Sequence, residues 1–155
     1  MTEPVRIWLA ATHHPSFLNG GWAFVRAEGT FVSGVAGGAR RTTRDTMALN
    51  ALFAALQDLP DAAPLVIHAQ APDAAAVVEF FAPAKAPATE DLELRNRIRK
   101  ALAGRQARLV RVERAPATPM VFAAAWADQG ADKARTKGGF HFVIPKPNLA
   151  KVPGL

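Results

Sequence analysis

Apolar side chains near the start of the chain fall in short runs rather than at helical spacing. Residues 4–11 (PVRIWLAA) form one such run, closed by His13, His14 and Pro15, as expected of a buried strand. After Gly20 and Gly21, the segments WAFVR (22–26) and TFVSGVA (30–36) flank a short Gly-containing connection, which predicts a β-hairpin. The spacing then changes. Leu49, Leu52, Phe53 and Leu56 recur at i, i+3, i+4 and i+7, so they share one face of a helix that starts near a Thr42 cap, carries Asp45 in its first turn and stops before Pro60. PLVIHAQ (64–70) lacks alternation and reads as a central strand covered on both faces. DAAAVVEFF (73–81) makes a short helix, APAKAPAT (82–89) is an exposed linker that cannot continue it, and Leu94, Ile98 and Leu102 mark a second helix over 91–102 that ends at Gly104. ARLVRVER (107–114) alternates as a half-buried strand does, and Thr118-Pro119 supplies the cap and first residue of an Ala-rich final helix.

The element order is therefore βββ-α-β-α-β-α: an α/β domain with a five-stranded mixed sheet flanked by helices. The domain is placed at 1–136, and the stretch 137–155 is left as an irregular, basic, Pro-containing C-terminal tail. Composition narrows the chemistry. At 155 residues with 50% hydrophobic side chains, the chain builds one substantial core. It has no cysteine, which removes disulfides, thiol nucleophiles and thiolate zinc sites and is compatible with a reducing cytoplasm. No segment approaches the roughly 18 apolar residues of a membrane span, so a soluble cytoplasmic protein is expected. The formal charge of +6 favours a polyanionic partner.

Three local pieces carry a resemblance: GGWAFV (20–25) after the first strand, TTRDTMALNALFAAL (42–56) at the main helix, and PLVIHAQ (64–70). Together with the element order they resemble ribonuclease HI-type members of the ribonuclease H-like family over roughly residues 4–134. In that family a Thr-Thr pair leads into a helix where Met precedes a catalytic Glu. Here Thr42, Thr43, Met47 and Leu49 match, and Ala48 takes the Glu position. The resemblance implies a cluster of acids holding two divalent metals for phosphodiester hydrolysis, and carboxylates are needed because magnesium takes hard oxygen ligands. This chain departs from that pattern. Ala10 matches the acid of the first strand and Ala69 the acid at the end of the fourth. The acid of the final helix aligns with Ala125 without a gap, or with Asp128 when ADQGADKA (127–134) is slid three residues, which makes Asp128 the candidate surviving acid. Conventional hydrolysis is therefore not expected, and neither is a bound cofactor. Magnesium or manganese enters only if Asp45, Asp128 or the histidines His13, His14, His68 and His141 rebuild a divergent metal site.

What remains is charge placement, since Lys and Arg on phosphates supply most sequence-independent affinity. Arg40, Arg41 and Arg44 accompany Thr42 and Thr43 at a turn that contacts the substrate backbone in the family. Arg95, Arg97, Arg99 and Lys100 crowd the helix 91–102, where many members carry a basic protrusion, and Lys133, Arg135 and Lys137 form a third group. Each group taken alone is equally a solvated face. Trp22, Phe24 and Phe53 are assigned to the core, leaving Trp126, Phe140 and Phe142 as the aromatics outside it. The leading expectation is a catalytically degenerate ribonuclease H-like module that binds an RNA/DNA hybrid or other duplex through its backbone. Its rivals are a divergent metal-dependent nuclease and a protein-interaction domain that docks a protein partner on the emptied cleft.

Overall fold

The structure, a computed structural model, describes residues 3–60, 62–82 and 88–155. The first hairpin pair and its third strand are β1 (Val5–His14), β2 (Asn19–Glu28) and β3 (Phe31–Arg40). After them come α1 (Arg44–Ala55), β4 (Leu65–Ala69), α2 (Ala71–Val77) with a 3-10 turn at Val78–Phe80, and α3 (Leu92–Leu102). The chain closes with β5 (Ala107–Arg111), α4 (Pro119–Lys137), β6 (Phe140–Val143) and α5 (Lys146–Leu149). The six strands form one sheet in the order β5-β4-β1-β2-β3-β6, with β1–β4 and β4–β5 parallel and the other pairs antiparallel.

Alternation along β1 divides the core in two, because successive side chains point to opposite faces. Ile7, Leu9 and Ala11 pack with Met47, Leu49, Leu52 and Ile67 beneath α1. Trp8 and Ala10 pack with Val25, Met120, Ala123 and Ala127 beneath α4. α4 crosses β1, β2 and β3 and leaves β4 and β5 open on that face. It lies unusually close to the sheet: a Cβ built at Gly21 would fall 2.0 Å from the Ala127 carbonyl oxygen, so only glycine fits. Buried Asn19 reinforces the contact by donating to the Ala131 carbonyl at 2.6 Å. At the far end of α1, buried Arg26 donates to the carbonyls of Ala55 (2.9 Å) and Gln57 (2.6 Å), a cation at the negative end of the helix dipole.

Several expectations need correction. The sheet has six strands, not five, because residues 140–149 of the expected irregular tail join the fold. Phe140 and Phe142 alternate with exposed His141 and Val143, and the residues that follow reach the second core, where Ile144 and Leu149 are buried. The helix cap is Thr43 rather than Thr42: its side chain accepts from the Thr46 N–H at 3.1 Å. Phe53 is only partly buried, whereas Trp22 and Phe24 lie in the core as expected. Trp126 and Phe142, expected outside the core, pack against the second one, and with Phe122 and Phe140 they form one α4–β6 aromatic cluster in which Phe140 and Phe142 stack. Most of the Ala-Pro linker lies outside the described residues.

Candidate nucleic-acid interface

The candidate site lies where β1 and β4 end and α1 and α2 begin. The Val5 N–H donates to the Pro64 carbonyl at 2.8 Å, so odd-numbered amides of β1 point towards β4. β4 stops at Ala69, which leaves the Ala11 N–H facing no strand. Asp73, in the first turn of α2, fills that place: its Oδ2 accepts the Ala11 N–H at 3.2 Å, and its Oδ1 accepts Arg44 Nε at 2.9 Å. The Asp73 side chain is fully buried and that of Arg44 is 38% exposed. Burial raises the Asp73 pKa, and the Arg44 guanidinium and the Ala11 amide act against that rise. Sequence reasoning missed this ion pair. Locally Asp73 is one more helix-start acid, and its partner lies on another helix.

Around the pair stand methyl groups. Ala10, Ala48 and Ala69 are all buried, Ala48 and Ala69 in the core beneath α1 and Ala10 in the core beneath α4, so their side chains do not converge on one pocket. The β1–β4 register, Val5↔Leu65 through Trp8↔His68, continues to place Gln70 level with Ala10 and on its face. Gln70 therefore stands where the strand register puts a partner for Ala10, and the sequence match to Ala69 did not consider it. Asp128 is exposed; it follows Ala127, which abuts Gly21, the cross-strand partner of Thr12, and so stands at the end of β1. Asp45 is exposed as well. Ala125, the ungapped alternative, is exposed. Two divalent ions need several hard oxygen ligands. Among the described residues no three or more His, Asp or Glu side chains gather to hold a metal. The one buried carboxylate among the described residues already serves Arg44 and an amide, so the residues here do not fit a two-metal centre.

The basic groups separate once their partners are seen. Arg40 spends its guanidinium on α4, donating to Ala134 O and to Arg135 O, the latter at 2.7 Å. Arg41 is exposed, and the Thr42 N–H donates to Leu18 O at 3.2 Å, tying this turn to the β1–β2 connection. There Arg135 lies 3.7 Å over the ring of exposed Phe17. Arg40, Arg41, Thr42, Thr43 and Arg135 thus share one edge, with Arg44 behind them. On α3 the charge is largely answered internally: Arg95 and Arg99 share Glu79, and Arg97 pairs with Glu93 at 2.7 Å. Lys100 is exposed without an ion pair among the described residues, as is Lys137. Lys133 turns to the other flank of α4, 4.3 Å over Phe142.

The histidines do not group. His68 stacks on Trp8 with ring centroids 4.7 Å apart, and its Nδ1 meets the Ile7 carbonyl at 3.0 Å. The carbonyl is an acceptor, so Nδ1 carries the proton. Burial lowers the His68 pKa, and the charges of Arg6 and Arg108 lower it further. The folded chain then binds fewer protons here than the unfolded chain, and stability falls as pH drops below the ordinary histidine value of 6.5. Denaturant titrations at pH 7.5 and 5.5 are expected to show a larger loss for the wild type than for His68→Gln; equal losses would refute this assignment.

No protein-family model matches the sequence. Nor does any characterised protein match it significantly. Solved structures do match. The N-terminal RNase H domain of Rv2228c from Mycobacterium tuberculosis, solved as a fusion with maltose-binding protein, has a TM-score of 0.73 at 16% identity, covering 88% of this chain and 99% of that one. LC11-RNase H1, solved in complex with an RNA/DNA hybrid, has a TM-score of 0.66 at 17% identity, covering 84% and 98%. RNase H1 from the halophilic archaeon Halobacterium salinarum has a TM-score of 0.60 at 19% identity, covering 84% and 99%. Among the described residues no helix is long and apolar enough to cross a membrane. The mixed sheet, its flanking helices and these superpositions agree, and the chain has the ribonuclease H fold.

Proposed function

We propose that this chain is a catalytically degenerate ribonuclease H-like protein that binds nucleic acid, an RNA/DNA hybrid or other duplex, through its phosphate backbone without hydrolysing it. The observation that carries the reading is the Arg44–Asp73 pair at the end of β1. A site that gathers metals is dominated by negative charge, whereas this one holds a neutral ion pair and leaves the guanidinium partly open to solvent. Support for the ligand comes from the shared fold of LC11-RNase H1, whose structure contains an RNA/DNA hybrid. Within the three basic groups the cations that carry binding are Arg41, Lys100, Arg135 and Lys137, which have no carboxylate partner among the described residues, whereas Arg40 is spent on carbonyls and Lys133 lies over Phe142. The paired Arg95, Arg97 and Arg99 contribute less, because an incoming phosphate must displace Glu79 or Glu93. The absence of cysteine fits a reducing, cytoplasmic setting.

Binding of a labelled hybrid over a salt series, with magnesium and separately with manganese, tests this. With about four phosphate contacts, affinity is expected to fall about a hundredfold between roughly 50 and 200 mM salt, with the hybrid left intact. Metal-dependent cleavage lost in Asp128→Ala would overturn the reading in favour of a divergent nuclease. No binding even at low salt would overturn it in favour of a protein-interaction domain.

A further inference from the structure

The sheet face that α4 leaves open carries a second cluster that the hybrid reading does not use. Register sets Arg6 on β1 level with Val66 on β4, and Val66 level with Arg108 on β5. One step along, Trp8, His68 and Val110 form the next row on the same face. The two arginines therefore stand on strands either side of β4, with roughly 10 Å between their Cα atoms, close enough for two long side chains to converge on one anion above Val66. Neither has a carboxylate partner among the described residues; Arg6 lies over the Trp8 ring at 5.3 Å, and Arg108 is exposed. A groove of about 350 Å³ opens at Arg108, lined with it by Pro4, Pro64, Leu65, Val66, Gln106 and Ala107, and Arg6 stands outside that lining. It lies at the N-terminal ends of the parallel strands, opposite the end that holds Arg44 and Asp73.

Two guanidiniums beside an apolar groove suit a ligand with an anionic head and a flat, weakly polar body. We propose that Arg6 and Arg108 form a nucleoside monophosphate site, with the phosphate between the two arginines and the base against the proline-rich wall. His68 stands one row further along the same face with its Nδ1 engaged by the Ile7 carbonyl, so its ring senses a ligand held by the arginines. The proposal stands apart from the hybrid contacts given to Arg41 and Arg135, which lie with Arg44 at the other end of the sheet.

The test is a titration of the full chain with adenosine 5′-monophosphate, followed by NMR of the histidine rings and arginine side chains, alongside adenosine and inorganic phosphate. The expected result is a saturable shift of the His68 ring, at least about tenfold weaker affinity in an Arg6→Gln/Arg108→Gln double variant, and weaker binding of either half-ligand. The thermal midpoint of the double variant, measured in parallel, is expected to match the wild type, so that lost binding reports lost contacts. No saturable shift up to about 10 mM nucleotide, or equal affinity in the double variant, would overturn the site. Inorganic phosphate binding as tightly as the nucleotide would overturn the role given to the groove.

Discussion

Gly130→Ala is expected to destabilise the protein by about 2–3 kcal/mol, although glycine-to-alanine changes inside helices ordinarily stabilise. Gly130 lies within α4, where alanine's higher helix propensity would contribute about 1 kcal/mol in favour of the variant. The sheet decides the sign. A Cβ at Gly130 falls 2.0 Å from the Gly37 carbonyl oxygen and 2.9 Å from its carbon, and the Gly130 carbonyl oxygen itself comes within 2.4 Å of where a Gly38 Cβ would stand. Both sides are backbone, so no side chain can swing away, and relief requires α4 to lift from β3. That movement would loosen Ala127 from Gly21 and stretch the Asn19–Ala131 hydrogen bond. For a domain of this size the cost corresponds to a thermal midpoint lower by about 5–10 °C. Gln129→Ala, at an exposed neighbour on the same helix, is expected to leave the midpoint nearly unchanged. A Gly130→Ala variant as stable as the wild type would mean that α4 does not approach the sheet this closely.

The elements that position the site were legible wherever one local pattern sufficed. The run around Trp8, the hairpin on either side of Gly29 and the Leu49–Leu52–Leu56 spacing each state their own conformation, and all formed as expected. What escaped reading depends on partners distant in sequence. FHFVI alternates as a strand does, but its basic, proline-containing surroundings resemble a tail, and its place was decided by a free edge on β3 and an aromatic surface on α4. Charge has the same dependence on distant partners. Arg95, Arg97 and Arg99 look like one basic patch in sequence, yet Glu79, on the turn after α2, takes up two of the three. Arg40 reads as a phosphate contact, and its guanidinium also holds the carbonyls at the end of α4. A one-residue uncertainty at the end of β4 separates Ala69 from Gln70, and in a strand that step moves a side chain to the opposite face.

Arg44→Ala is expected to cost more than Asp73→Asn at pH 7, and the asymmetry follows from which partner is buried. Removing Arg44 strands a carboxylate with a fully buried side chain, leaving it only the Ala11 amide; breaking such a pair costs about 3 kcal/mol, the low end of the usual range because Arg44 itself is partly solvated. Removing the Asp73 charge instead frees a guanidinium that is 38% exposed and can hydrate, while an asparagine carbonyl still accepts from Ala11, so a cost of about 1 kcal/mol is expected. The two variants also differ in their response to pH. Burial already raises the Asp73 pKa, and Arg44 is the main influence holding it down, so deleting Arg44 raises it further. A carboxyl whose folded pKa exceeds its unfolded value binds an extra proton in the folded state, so stability declines as pH climbs from the ordinary aspartate value of 3.8 through the raised folded value. The Arg44→Ala deficit is therefore largest at neutral pH and shrinks towards pH 4, whereas the Asp73→Asn deficit moves the other way, because the raised pKa of the wild-type carboxyl makes only the wild type lose stability as pH climbs. Urea titrations of both variants and the wild type at pH 4.5 and 7 distinguish these outcomes. An Arg44→Ala penalty that stays constant with pH would mean that Asp73 is not confined in the buried pair, and the neutral ion pair would no longer account for the end of β1.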